Sequence, residues 1–349
     1  MRIFLVEDYE YYCRVTILGF RINFPNIKHI IRTLRRLNDL AVKTRYNTNP
    51  LDYGRYFFWS NEEKFTLKER MWYISQMFYE MVGYFPNLKN PRSINEKINW
   101  MKLHYDNPKH QRCIDKYEFK DYIKEKLGDG YTIPLLGVWE DIQDVDFDKL
   151  PDSFVLKINC TGSGVYGVRV VKDKNTYDLD KLKYEFNNWV QNWMSIYYSS
   201  MVKGYKHITS KIIAEEYIEQ GNGKLNDYKI FCFHGEPKFV YVALNSCTKA
   251  HDKMSGFYDL NWNRMSLAYA GRTSIECDIP RPETFDKMLE LAKTLSADFP
   301  LVRVDLYEVE GKVYVGELTF FDMGGYLKIH PDGWDKEWGS MIRLPQNNK

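Results

Sequence analysis

Val302-Arg-Val-Asp-Leu-Tyr-Glu-Val-Glu-Gly-Lys-Val-Tyr-Val-Gly-Glu-Leu-Thr-Phe320 reads as two strands joined by a glycine-containing turn. Side chains two apart lie on one face of a strand, so Arg303 and Asp305 share a face, as do Glu317 and Thr319. An antiparallel pairing can bring Asp305 and Glu317 together. Two carboxylates so placed repel unless a cation lies between them, and hard oxygen ligands suit Mg²⁺. Arg303 beside them can hold a negatively charged phosphoryl group in transfer.

Upstream, Asn226-Asp-Tyr-Lys-Ile-Phe-Cys-Phe-His-Gly-Glu-Pro-Lys-Phe-Val-Tyr-Val242 reads as a hairpin turning at His234–Pro237. Asp227 and Lys229 share a face there, which suits either a site or a salt-bridged surface pair. Lys211-Ile-Ile-Ala-Glu-Glu-Tyr-Ile218 is an apolar strand ending in acids; such an edge can present its backbone to adenine, or can be an ordinary strand with an exposed end. In Phe154-Val-Leu-Lys-Ile-Asn-Cys-Thr-Gly-Ser-Gly-Val-Tyr-Gly-Val-Arg-Val-Val171, Lys157 lies in an apolar strand. An ammonium there is costly to bury unless it meets an anion. The loop Thr161-Gly-Ser-Gly164 offers backbone N–H groups that suit polyphosphate oxygens. Neither a Walker A loop nor a Rossmann fingerprint fits, since no Gly-Lys-Ser/Thr follows and a strand, not a helix, comes next. Taken alone, a lysine beside a glycine turn is most often a hairpin.

Around these segments the chain has globular composition. Its 349 residues suffice for two or three lobes, and 49 basic against 47 acidic residues give a formal charge of +2, which argues against a general nucleic-acid binder. The high aromatic content is read as packing rather than sugar stacking. Six scattered cysteines without a CxxC pair fit a reducing compartment better than a disulfide framework or a structural zinc site. The opening apolar run is too short for a signal peptide, and no later run is long enough to span a bilayer, so a soluble cytoplasmic protein is expected.

Residues 1–24 read as short strands with a turn at Gly19. Over 25–46, Ile27, Ile30, Ile31, Leu34, Leu37 and Ala41 recur at helical spacing, with six bases against one acid on the other faces. Such a helix can lie on an anionic membrane surface at the inner face of the cell membrane, or can pack on the body with its bases solvated. Helices are expected over 66–84, 93–105, 116–127, 178–197 and 283–298, the second with a Ser93/Glu96 capping box. The texture changes near residue 112, which divides a strand-and-helix N-terminal region (1–112) from a catalytic domain (113–349).

In this order the segments resemble the ATP-grasp superfamily, and most closely the TupA-like ATP-grasp family. The wording that carries the closer match includes Ser93-Ile-Asn-Glu-Lys-Ile-Asn-Trp-Met-Lys-Leu103, Asp115-Lys-Tyr117, Ile133-Pro-Leu-Leu-Gly-Val-Trp139, Asp227-Tyr-Lys229, Arg303-Val-Asp-Leu-Tyr307 and Gly316-Glu-Leu-Thr-Phe320. It runs from about residue 93 to about 345. The resemblance implies an α+β ATP-grasp fold in which two subdomains close on Mg-ATP. By it, Lys116 and Lys157 neutralise the phosphates of ATP and Ser163-Gly164 cover them. Glu215, Glu216 and Ile218 face adenine, largely through backbone. Asp227 falls where a ribose-binding acid is expected, and Lys229 where a phosphate or substrate contact is common. Asp305 and Glu317 bind magnesium, with Thr319 at the third ligand position, where the superfamily usually has Asn. Thr161 stands where the close family tends to have His.

The implied reaction is ATP-dependent ligation of a carboxylate to an amine, through an acyl phosphate. The family's association with bacterial surface polysaccharides implies a uronic acid of a capsular or teichuronic-type glycan, or its sugar precursor, as the acid. An amino acid or small amine is implied as its partner. The alternative is a glycosyltransferase of capsular polysaccharide synthesis, which wants a metal-binding Asp-x-Asp after a buried strand. Asp144-Val-Asp-Phe-Asp148 has the letters but sits in a polar connection.

Overall fold

The computed structural model describes residues 4–8, 13–17, 20–24, 66–161, 167–193, 201–218, 225–244, 254–270, 273–274 and 279–345. The chain divides into two compact units, Met1–Glu62 and Glu63–Lys349. In the first, β1 (Phe4–Asp8), β2 (Cys13–Ile17) and β3 (Phe20–Phe24) form an antiparallel sheet in chain order. Ile17 pairs with Phe20, and the turn expected at Gly19 lies outside the described residues. The basic helix expected over 25–46 lies outside the described residues. No helix among the described residues is long and apolar enough to cross a membrane.

The second unit is mixed α+β. It opens with α1 (Leu67–Val82) and α2 (Ile94–His104), each begun by a complete capping box, Thr66 with Glu69 and Ser93 with Glu96. Two short helices follow, α3 (Pro108–Ile114) and α4 (Glu118–Leu127). An antiparallel four-stranded sheet then assembles from β4 (Leu135–Trp139), β5 (Phe154–Ile158), β6 (Val168–Val171) and β7 (Ile212–Glu216), in the order β4-β7-β5-β6. Leu182 and Phe186 of α5 (Leu179–Asn192) pack on it.

The larger sheet is built from β8 (Asp227–Phe233), β9 (Glu236–Ala243), β10 (Met254–Asp259), β11 (Arg264–Met265), β14 (Leu301–Val309) and β15 (Lys312–Thr319). Their order is β11-β10-β9-β8-β14-β15, β13 (Thr273–Ser274) lies parallel to β10, and β12 (Ala268–Tyr269) pairs with β16 (Ile329–His330) in a separate two-stranded sheet. Strand alternation sorts its side chains into two cores. Ile230, Val240, Val302 and Val304 face Met288 and Leu291 of α6 (Phe285–Ser296). Phe231, Phe239 and Phe257 face Ile94 and Ile98 of α2 and Trp338 of α7 (Trp334–Ser340). The change of texture near residue 112 therefore falls inside this unit, because α2 belongs to the same apolar core as the sheet.

Close approach of α7 to the start of α2 depends on Gly339. A Cβ there would lie 2.0 Å from the Arg92 carbonyl oxygen and 2.7 Å from the Ser93 carbonyl carbon. Backbone cannot yield as a side-chain tip does, so Gly339→Ala is expected to cost about 3 kcal/mol, the upper end of overpacking penalties. Urea denaturation checks this; a loss below about 1 kcal/mol would mean the helices separate freely.

Candidate active site

At one end of the α2-facing side of the large sheet, charged residues replace the aromatic ones. Asp227 and Lys229 precede Phe231 on β8, and Arg303 and Asp305 follow Leu301 on β14. The register pairs Asp305 with Lys229 on one side and with Glu317 on the other, and Arg303 with Thr319. The last two contacts depend on a bulge. Leu306 pairs with Val315 while Asp305 pairs with Glu317, which leaves Gly316 as the extra residue. Before it Val313 and Val315 enter the core under α6, and after it Leu318 and Phe320 do. The change of phase turns Glu317 and Thr319 toward Arg303 and Asp305. A Cβ on Gly316 would lie 2.6 Å from the Tyr307 ring.

The result is a dense network. Arg303 Nε and Nη2 each donate to an Asp305 carboxylate oxygen at 2.7 Å, a bidentate fork. Nη2 also donates to Thr319 Oγ1 at 3.1 Å and lies 3.4 Å from Glu317 Oε1, while Nη1 donates to Asp322. Thr319 Oγ1 donates to Glu317 at 3.1 Å. The Lys229 ammonium lies 2.5 Å from both Asp227 and Asp305. Burial pushes the Asp305 carboxyl up, but Arg303 and Lys229 outweigh it and hold it below the ordinary carboxylate range. Asp227 moves the other way, because burial exceeds the pull of its single ammonium. Its Oδ1 is buried without a hydrogen-bond partner, as an acceptor awaiting a hydroxyl would be.

The second cluster sits on the four-stranded sheet. Glu215 on β7 is buried between two ammonium groups, Lys157 on β5 and Lys120 on α4, the latter at 2.5 Å. Burial pushes the Glu215 carboxyl up, yet Lys157 and Lys120 together carry it below its usual value. Lys116 donates to the Thr161 carbonyl at the start of the glycine loop. Asp115 fixes the lysine's backbone: it accepts from Tyr117 N at 2.8 Å and from Asn159 Nδ2 at 2.9 Å. Burial lowers the Lys116 pKa, and the charges of Glu317 and Glu215 oppose that shift, so Lys116 lies within electrostatic reach of both clusters. Glu216 is exposed at the end of β7, its N–H donating to Pro134, and Ile218 follows half-buried. The Glu215 carboxylate is occupied by the two ammonium groups. Ser163 and Gly164 lie outside the described residues.

The structure thus gathers Asp227, Lys229, Arg303, Asp305, Glu317 and Thr319 in one place, and Lys116, Lys157 and Glu215 in another. Sequence reasoning missed Lys120 and Asp322. Lys120 is four residues from Lys116, a helical spacing that could have flagged it; Asp322 carried no such signal. The Asp144–Asp148 acids lie in single 3₁₀ turns, where Asp141 and Asp146 cap backbone N–H groups. That is the polar connection expected, and no buried strand leads into it.

A family model described as TupA-like ATPgrasp matches residues 96–343. No curated protein matches the chain. Among solved structures, a D-alanine–D-alanine ligase from Bacillus anthracis is 21% identical with a TM-score of 0.36, covering 60% of this chain and 57% of that one. The corresponding ligase from Helicobacter pylori is 16% identical with a TM-score of 0.34, covering 66% and 61%. N5-carboxyaminoimidazole synthetase from Staphylococcus aureus, complexed with ADP, is 14% identical with a TM-score of 0.35, covering 60% and 45%. The chain therefore spans less than two thirds of each of these chains.

Proposed function

The chain belongs to the TupA-like ATP-grasp family, and we propose that it is an ATP-dependent carboxylate–amine ligase. One observation carries this reading: the β14–β15 hairpin gathers Asp305, Glu317 and Thr319 around a guanidinium, with Lys116 within electrostatic reach. Among the described residues no three His, Cys, Asp or Glu side chains converge as a metal group. The donor set is instead two carboxylates and a hydroxyl. These are hard oxygens, and Arg303 Nη2 already occupies the space among them as a cation would. They fit Mg²⁺, which completes its shell with water and substrate phosphate. When bound, the ion would supply charge neutralisation at the terminal phosphates of ATP.

The protein's own groups do the rest. Lys116 and Lys157 neutralise phosphate oxygens, and Lys157 exchanges its contact with Glu215 for them. Asp227 Oδ1 accepts from a ribose hydroxyl. Arg303 and Lys229 stabilise charge that builds on the phosphoryl group as it moves. The substrate carboxylate oxygen forms a bond to the γ-phosphorus, and the bond to ADP breaks. The amine then attacks the acyl carbon, phosphate leaves, and the nitrogen releases its proton. The family's association with surface polysaccharides supports a uronate in a glycan or its precursor as the acid, and an amino acid or small amine as the acceptor.

Hydroxylamine supplied in place of the amine is expected to trap the activated acid as a hydroxamate, with ADP as coproduct. A panel of uronic acids screened for ADP release identifies the acid. AMP and pyrophosphate as products would replace this mechanism with adenylation, and sugar-nucleotide turnover without ATP would favour the glycosyltransferase.

A further inference from the structure

Asp322 belongs to none of the motifs read from the sequence, yet it carries one arm of Arg303. Its Oδ1 accepts from Arg303 Nη1, and its Oδ2 accepts from the Tyr269 hydroxyl at 2.9 Å. It is 8% exposed. We propose that Asp322 is a positioning residue for Arg303, giving the guanidinium a carboxylate of its own so that Asp305 and Glu317 can turn to a divalent cation.

The argument begins with space. Arg303 Nη2 lies 2.7 Å from Asp305 Oδ2, 3.1 Å from Thr319 Oγ1 and 3.4 Å from Glu317 Oε1. A magnesium ion takes its oxygens at about 2.1 Å, so it cannot share the place where that nitrogen sits. As the cation enters, the guanidinium must yield part of its hold on these oxygens. A buried cation stripped of its partner is strongly unfavourable, and Arg303 is 12% exposed at its side chain. Asp322 lies outside the set of three oxygens and bonds the opposite arm of the guanidinium. It can therefore keep Arg303 seated through the exchange.

A carboxylate serves this purpose only if it is itself fixed, and the loop that bears it is held at several points. Met323, Gly324 and Gly325 all have positive φ, at 46°, 64° and 75°. Three side chains on one face of α2 grip the segment that follows. Lys102 donates to the Gly324 carbonyl, Asn99 Nδ2 to the Gly325 carbonyl at 2.8 Å, and Asn95 bonds both the carbonyl and the N–H of Leu327, at 2.7 and 2.9 Å. Their spacing of four and three residues is that of one helix face. A Cβ on Gly325 would lie 2.7 Å from Ile98 Cγ2, so the loop rests directly on the helix. The Asn-x-x-x-Asn-x-x-Lys pattern of α2 thus acts on the site from a distance in sequence, through the backbone of this loop.

The inference rests on the ligase reading, because it supposes a cation at those oxygens. Mn²⁺ titrated into the full chain with saturating ADP, with free Mn²⁺ followed by electron paramagnetic resonance, tests it by binding rather than turnover. Asp322→Asn is expected to weaken Mn²⁺ binding about tenfold, the scale seen when outer partners of metal sites are removed. Tyr269→Phe, which removes only the hydroxyl on Oδ2, is expected to weaken it in the same direction by about threefold, a smaller share of that scale. In an Arg303→Met background Asp322→Asn should change Mn²⁺ affinity no further, since the aspartate acts through the arginine. Unchanged affinity in Asp322→Asn, or an equal loss in the Arg303→Met background, would overturn the proposal. If either of those variants fails to fold, Tyr269→Phe decides, and wild-type affinity in it overturns the proposal too. A wild-type protein that binds no Mn²⁺ with ADP removes the ligase reading itself, an outcome distinct from any difference among variants.

Discussion

Glu317→Gln is expected to leave the fold intact and to lower turnover by about a hundred- to a thousandfold, the scale of losing one preorganised electrostatic group. The expectation follows from where the residue stands. Its side chain is 35% exposed, and its only contact with Arg303 is at 3.4 Å, so the ion pair adds little to stability. Glutamine preserves the volume and can still accept from the Thr319 hydroxyl. What it removes is negative charge from the oxygen set that would hold magnesium. Thermal unfolding without ligand should therefore match the wild type, while ADP formation collapses. Full activity in a well-folded Glu317→Gln protein would end the metal assignment.

Lys229→Met is expected to act in the opposite way, on stability first. One ammonium lies 2.5 Å from each of two buried carboxylates, Asp227 and Asp305. Removing it strands Asp227 and leaves Asp305 with only the Arg303 fork, and breaking a buried pair in this way costs about 3–5 kcal/mol. The deficit should depend on pH. In the wild type Asp305 is held below the ordinary range, so its contribution is present above about pH 4 and is lost as pH falls through its folded pKa. Asp227 is raised by burial, so its contribution is present at low pH and is lost as pH rises through its folded pKa. Without Lys229 both carboxyls bind protons more tightly when folded, and protonation relieves the stranded charge. Urea denaturation at about pH 7.5 and about pH 5.5 should show the gap to wild type narrowing at the lower value. A gap that is constant across this range would mean that lost packing, not stranded charge, destabilises the variant.

Much of this architecture is local and was legible as such. The Ser93/Glu96 capping box, the alternation in β8, β9 and β14, and the turns at Gly235 and Gly311 each depend on a few neighbouring residues. So does the face shared by Arg303 and Asp305, whereas the short hairpin alone would pair Asp305 with Gly316, and its pairing with Glu317 needs the bulge. The boundary between units was less legible. Texture changes near residue 112, but α2 packs through Ile94, Ile98 and Met101 into the core of the large sheet, a contact that no local pattern announces.

Sequence alone determined the chemistry on offer, because residue type and the two-residue period of a strand set which groups can stand together. Tertiary structure decided how those groups are paired. Glu215 is read in sequence as an acid at a strand end; in the fold it is clasped by Lys157 from β5 and Lys120 from α4, two elements that meet only across the sheet. Glu317 and Thr319 reach the site because the Gly316 bulge reverses the phase of β15, and a bulge is a compromise between two cores rather than a property of one strand. Asp322 holds Arg303 because Asn95, Asn99 and Lys102 grip a loop more than two hundred residues away. Side-chain period acts over two to four residues, whereas hydrogen bonds to a distant backbone form only once the core has brought it near.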